Sequence, residues 1–164
     1  MTFDPVTNLI SQQKELIYGV EFLGEMAIDK RFTIGTTLGY KEGRYDSNRD
    51  GELDSWLPNN RIASPFRGVL FGDYRFDNGI KVRLEGEGYS GRNAPINLAN
   101  LSYPIQGGVT MNASLSGPVY GGEAYAAVNN LFDAELQNPT GTSVRNLPVY
   151  SWGRTVTVGY RKTF

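Results

Sequence analysis

The chain has 164 residues, a net charge of −1, 20 glycines, 10 tyrosines and 8 phenylalanines, and neither cysteine nor histidine. One domain is the default at that length. The charge balance argues against nucleic acid as a partner, and the missing residues exclude disulfide frameworks, thiolate sites, imidazole metal ligands and Ser-His-Asp triads. No stretch of apolar residues is long enough for a transmembrane helix. A β-barrel needs none, because its apolar residues are spread one in two along each strand.

Side chains of a strand alternate between its two faces, and seven segments alternate in this way. In Glu15 to Ile28, the apolar positions Leu16, Tyr18, Val20, Phe22, Met26 and Ile28 stand against Glu15, Glu21 and Glu25. Arg31 to Lys41 sets Phe32, Ile34, Leu38 and Tyr40 against Arg31, Thr33, Thr37 and Lys41. Ile62 to Phe76 sets Phe66, Leu70, Tyr74 and Phe76 against Arg67, Asp73 and Arg75. Ile80 to Ser90 sets Ile80, Val82 and Leu84 against Lys81, Arg83, Glu85 and Glu87. Ile105 to Ser116 sets Ile105, Val109, Met111, Ala113 and Leu115 against Gln106, Thr110, Asn112, Ser114 and Ser116. Glu123 to Leu131 carries Ala124, Ala126 and Val128 on its apolar side, and Arg154 to Phe164 carries Val156, Val158, Tyr160 and Phe164.

The connections alternate in length. Tight turns are expected at Asp29-Lys30, at Asp77-Asn78-Gly79 and within Gly117 to Gly122; long polar loops are expected at Glu42 to Arg61, Gly91 to Pro104 and Phe132 to Ser151. Asp77-Asn78-Gly79 supplies the positive-φ residues of a short hairpin. Short turns at one end and long loops at the other are the pattern of an outer-membrane barrel. A soluble β-sandwich also alternates, because its outer face meets water. Single-chain bacterial barrels have even strand numbers, so seven strands imply that further strands precede these. Met1 to Lys14, polar and with Asp4-Pro5, reads as the tail of an extracellular loop, and it lacks the basic and apolar regions of a signal peptide.

Four short motifs carry a family resemblance. Asn129-Asn130-Leu131-Phe132-Asp133 resembles the N-L-F-D that closes the penultimate strand of TonB-dependent outer-membrane receptors. Glu15-Leu16-Ile17-Tyr18-Gly19-Val20-Glu21-Phe22 resembles their G-[IV]-E strand, and Tyr74-Arg75-Phe76-Asp77-Asn78-Gly79 their Y-R-F-x-x-G turn. Trp152-Gly153-Arg154-Thr155 resembles the P-G-R-T before their last strand, with Trp152 in place of proline, and Tyr160 lies further from the terminal aromatic than is usual there. The motifs run in the family's order over most of the chain.

The resemblance implies an all-β fold. Residues 1–164 would be the C-terminal portion of an antiparallel, up-and-down transmembrane β-barrel, about the last seven strands of a 22-stranded barrel. It implies transport rather than catalysis, in the bacterial outer membrane, by TonB-dependent uptake of a scarce ligand, a ferric siderophore above all. The implied partners are outer-membrane lipid, the remaining barrel strands, a plug domain that this sequence lacks, and TonB acting through an N-terminal part. Two rivals stay open: a complete eight-stranded outer-membrane barrel with a structural or adhesive role, and a soluble β-sandwich or lipocalin-like binding module.

No cofactor is expected. The one metal-like motif is Asp46-Ser47-Asn48-Arg49-Asp50-Gly51-Glu52-Leu53-Asp54. Asp46, Asn48, Asp50 and Asp54 match the opening of a calcium loop, but Leu57 stands where a bidentate glutamate belongs. The competing reading, a surface loop whose Asp, Asn and Gly residues make turns, is favoured. The charges Glu21, Glu25, Arg67, Asp73, Arg75, Lys81, Arg83, Glu85 and Glu87 are expected on a hydrated lumenal face. Tyr18, Tyr40, Phe66, Tyr74, Phe76, Tyr160 and Phe164 are expected to form interfacial girdles. Ligand contacts are sought among Trp56, Tyr89, Tyr103, Tyr150 and Trp152, in or beside the loops.

Overall fold

The computed structural model describes residues 2–4, 9–11, 14–92 and 103–163. Two short strands, β1 (Thr2–Asp4) and β2 (Leu9–Ser11), pair with each other as a separate small sheet, so the expected loop tail over Met1 to Lys14 contains a hairpin. The remaining strands are β3 (Glu15–Ala27), β4 (Phe32–Tyr45), β5 (Ser55–Trp56), β6 (Phe66–Arg75), β7 (Lys81–Tyr89), β8 (Gly108–Val119), β9 (Gly122–Asn129) and β10 (Thr155–Arg161). They form one antiparallel sheet in the order β10-β9-β8-β7-β6-β4-β3, with β5 continuing beside β4. The chain is therefore all-β, an up-and-down meander whose edges, β3 and β10, are not paired with each other.

The expected alternation holds in register across the whole sheet. Residues directly opposed in an antiparallel pair share a face. Met26, Ile34, Gly72, Leu84, Ala113, Val128 and Val156 are successive partners, so one row free of polar side chains crosses seven strands. The next row, Ala27, Thr33, Asp73, Arg83, Ser114, Ala127 and Thr157, lies on the other face and carries the charges. The apolar face is bare: Leu70 is 64% exposed, Val109 66% and Val158 75%. Among the described residues the only buried apolar side chains are Leu57, Ile62 and Ile105, all in loops. Among the described residues no second layer covers the sheet, as a sandwich would require.

Aromatic residues sit at both ends of this face; between them the side chains are mostly aliphatic, with Phe22 opposite Leu38. Tyr40 faces Phe66 near the loop end, and Phe32 faces Tyr74 near the turn end. The Phe76 ring meets Tyr74 edge-on, with centroids 4.8 Å apart.

The three tight turns form where expected. Asp29 Oδ1 accepts from the N–H groups of Arg31 and Phe32, both at 2.7 Å. Gly79 has φ 85°, and its N–H donates to the Phe76 carbonyl at 3.0 Å. Tyr120 and Gly121 both have positive φ, 46° and 75°, as a two-residue hairpin turn demands. The strand ends shift at the loop side. β4 runs on to Tyr45, so Glu42 to Tyr45 belong to a strand, and β6 starts at Phe66, because Ile62 is drawn into the loop core. Likewise β8 starts at Gly108; Ile105 makes an isolated bridge with Arg92 and is buried. The expected strand over Arg154 to Phe164 is Thr155–Arg161, and Phe164 lies outside the described residues.

On the charged face, Phe71 lies across its partner Gly35, where any Cβ would overlap the ring. Tyr125 covers Gly159 in the same way. The outer side of the Phe71 ring carries the Arg83 guanidinium, 3.8 Å from its centroid. Gly35→Val should therefore displace the ring and destabilise the sheet by about 1–3 kcal/mol, the usual cost of overpacking. Urea unfolding checks this, and adding Phe71→Ala should return most of the loss.

Candidate functional site

All three long connections leave the same end of the sheet, and their described residues meet there. Glu42 and Arg92 form an ion pair at 2.7 Å that is almost fully buried, and Arg92 Nη2 also donates to the Leu57 carbonyl at 2.6 Å. Asn59, 1% exposed, donates through Nδ2 to the Tyr103 carbonyl at 2.7 Å. Leu57, Ile62 and Ile105 complete this small core. None of the Glu42, Asn59 and Arg92 contacts was legible in the sequence, since their partners lie in different loops.

The loop from 130 to 154 holds a helix, α1 (Pro139–Arg145). Asn138 caps it, accepting from Gly141 N–H at 2.7 Å, Pro139 occupies its first turn, and Asn146 ends it in the left-handed region at φ 54°. An Asn-Pro start and a positive-φ Asn stop are ordinary helix signals, but seven residues are too few to show a helical period. The Thr142 hydroxyl closes the loop, accepting from Val149 N–H at 3.1 Å.

The residues that carry the family resemblance do structural work here. Asn130, with φ 52°, bonds both ways with the Ala134 backbone, at 2.9 Å each. Asp133 Oδ1 accepts from Arg154 N–H at 2.7 Å, and a Cβ at Gly153 would crowd that same oxygen at 2.8 Å. The turn that ends β9 is thus bonded to the segment that opens β10.

The acidic loop folds on its own backbone. Asp46 is buried and accepts from Arg49 N–H at 2.6 Å and Gly51 N–H at 2.8 Å. Asp50 accepts from Glu52 N–H at 2.8 Å, and Asn48 Oδ1 from Asp50 N–H at 3.1 Å. Asp54 takes both the N–H and the hydroxyl of Ser47, at 2.9 and 2.7 Å. Leu57, the residue at the twelfth position, is 1% exposed in the loop core. Among the described residues no three acidic side chains gather at metal-binding range.

The expected lumenal charges all fall on the polar face, and they divide into two groups. Toward the turns Asp73, Arg83 and Glu85 pair, while Glu25, Arg75 and Lys81 enter no ion pair among the described residues. Arg83 Nη1 donates to Asp73 at 3.0 Å and Nη2 to Glu85 at 2.9 Å, while Asn112 Nδ2 reaches Glu85 at 3.4 Å. Toward the loops, Glu21, Lys41, Arg67 and Glu87 enter no ion pair among the described residues. There the loop carrying α1 leans over the sheet and encloses an open cleft of ≈ 470 Å³. Its walls include Arg67, Glu87, Thr110, Asn112 and Asn129 from the strands and Trp152 from the loop. A second cleft of ≈ 410 Å³, lined by Glu21, Lys41 and Ser143, adjoins it across Arg67 and Thr140.

Of the loop aromatics, Tyr89 donates its hydroxyl to the Gln137 carbonyl, Trp56 carries the Arg44 guanidinium 4.3 Å from its ring, and Tyr103 N–H donates to Asn146. Tyr150 bridges to Gln137, and Trp152 is 86% exposed. No protein-family model matches this chain, and no curated protein matches it.

Two outcomes are expected. Arg92→Ala leaves Glu42 buried without its partner and should cost about 3–5 kcal/mol of loop stability; the double change Glu42→Gln with Arg92→Met should restore most of it, read by limited proteolysis of the loops. The Ser47 hydroxyl and N–H hold the Asp54 carboxyl below the usual carboxylate range. A group whose folded pKa is depressed stabilises above its unfolded pKa, and the gain is lost as pH falls through the folded value. The Ser47 amide should therefore stay protected from exchange at neutral pH and lose protection only at acidic pH; Asp54→Asn should flatten that profile.

Proposed function

We propose that this chain forms barrel wall in the bacterial outer membrane: about seven strands of the C-terminal part of a 22-stranded TonB-dependent receptor, with the apolar face toward lipid and the charged face toward the lumen. Its role is transport of a scarce ligand, and a ferric siderophore is the ligand that the sequence resemblance implies. The plug domain, the remaining strands and TonB are the partners this reading requires.

The observation that carries it is the bare apolar face, unbroken across seven strands. In water such a face is unfavourable by roughly 25 cal/mol for each Å² left uncovered; against acyl chains it needs no protein partner. The flanking aromatics support the same reading. Phe66 and Tyr74, which face the aromatics of β4, stand roughly 27 Å apart at about 3.4 Å per residue, close to the ≈ 25 Å apolar band of such barrels. The strand lengths, such as 10 residues in β6 and 9 in β7, match the ≈ 9–11 residues needed to cross at a tilt, and β3, at 13, exceeds it. The open edges at β3 and β10 call for further strands, because each unsatisfied backbone group in lipid costs several kcal/mol. The rival eight-stranded barrel finds no support in β1 and β2, which pair with each other rather than with either edge.

Arginine scanning in lipid vesicles tests the orientation. Leu70→Arg and Val109→Arg should each cost about 2–4 kcal/mol if the face meets the bilayer midplane, and Thr110→Arg and Asn112→Arg much less. Equal costs on both faces would overturn the membrane reading.

A further inference from the structure

Trp152 is the aromatic that the membrane reading leaves unexplained. It is 86% exposed, yet it lines a cleft formed by polar-face residues on one side and by its own loop on the other, away from the apolar face. An apolar group beside a few convergent polar ones in a concave site is the usual make-up of a ligand site. The cleft, at ≈ 470 Å³, falls within the usual 300–1,000 Å³ or so of ligand sites.

Its chemistry narrows the occupant. Arg67 and Glu87 project from adjacent strands, because Val69 is the partner of Glu87 and Arg67 stands two residues before it. Neither is ion-paired among the described residues, and with one cation and one anion the cleft lining carries no net charge to favour a charged ligand. Asn129 uses its Nδ2 on Thr155 at 3.4 Å, and among the described residues its amide oxygen carries no hydrogen bond. The Thr110 hydroxyl also faces the cleft. A guanidinium, a carboxylate, an amide and a hydroxyl offer donors and acceptors in equal measure, which suits vicinal hydroxyl groups. An exposed indole suits a flat, C–H-lined ring face. Both features together describe a pyranose.

We infer that the cleft between the polar face and the loop carrying α1 binds a neutral oligosaccharide, with Trp152 under one sugar ring and Arg67, Glu87 and Asn129 on its hydroxyls. This inference rests on the lumenal assignment of the polar face. Trp152 and Trp56 are the only tryptophans, so Trp56→Phe leaves Trp152 as the single indole reporter. The test uses the full chain in an amine-oxide detergent, which has no sugar headgroup, titrated with maltohexaose, cellohexaose and xylohexaose, and separately with a ferric tris-catecholate. At least one hexasaccharide should shift Trp152 emission with a Kd of about 1 mM or tighter, and Arg67→Ala and Glu87→Ala should each weaken it about tenfold. The far-ultraviolet β-signal of each variant must match that of the parent chain. The inference is overturned if no hexasaccharide shifts the emission, if both variants bind as the parent does, or if only the ferric complex binds. Saccharide binding by a protein that fails the arginine scan overturns the membrane reading and leaves the cleft standing. Failure to bind by a protein that passes the scan overturns the cleft alone.

Discussion

Register is the constraint on which the rest of this structure depends. Side chains alternate with period two, so a slip of one residue in any pairing would carry a whole strand's charges to the other face. Asp73 and Arg83 lie opposite one another, one residue away from the paired Gly72 and Leu84. A slip between β6 and β7 would bring Asp73 against Leu84 or Gly72 against Arg83, and would break the charged row. The turns protect against this. Asp29 fixes one through two backbone hydrogen bonds, positive φ at Gly79 closes the second, and Tyr120-Gly121 closes the third. Each turn leaves its two strands only one way to meet.

The same constraint leaves the molecule with an unusual distribution of burial. The sheet contains almost none of the buried apolar side chains; the loop end holds them. Backbone hydrogen bonds along the strands, cross-strand stacking such as Phe71 on Gly35, and the Asp73–Arg83–Glu85 cluster hold the sheet from within. The loops are held differently, by a buried ion pair and by carboxamides that bond to backbone. Removing either partner of Glu42–Arg92 would strand a charge in the loop core, which makes the cap cooperative: strands β4 and β7 and the 57–62 segment are fixed together.

That rigidity matters for the cleft. Polar groups recognise a ligand well when they are held in place before it arrives. Here the strands supply Arg67, Glu87 and Asn129 from a hydrogen-bonded sheet, and the β9 turn positions the loop bearing Trp152 through the bond between Asp133 and the Arg154 backbone. Mid-sheet, Asp73, Arg83 and Glu85 neutralise each other, whereas Arg67 and Glu87 beneath the loops enter no ion pair among the described residues. The polar face thus carries both an internally paired cluster and an open site.

Much of the sheet was legible in the sequence. The face of every long strand, the three tight turns and the alternation of short and long connections follow from period two and from turn residues, which are local properties. The ends of the strands were not, because Glu42, Ile62 and Ile105 look like ordinary alternation or loop until their partners in other loops are known. Nor was the helix at Pro139–Arg145, too short for a period, although its Asn caps were in plain view. The acidic loop shows the limit most clearly. Its spacing alone fits a hard cation, but the sequence cannot say that Asp46 and Asp54 bond to backbone of their own loop, or that Leu57 enters a core. Local chemistry determined which side of the sheet each residue faces. Only the tertiary structure decided which residues meet across the loops, because those contacts join segments far apart in sequence and depend on how the strands between them pair.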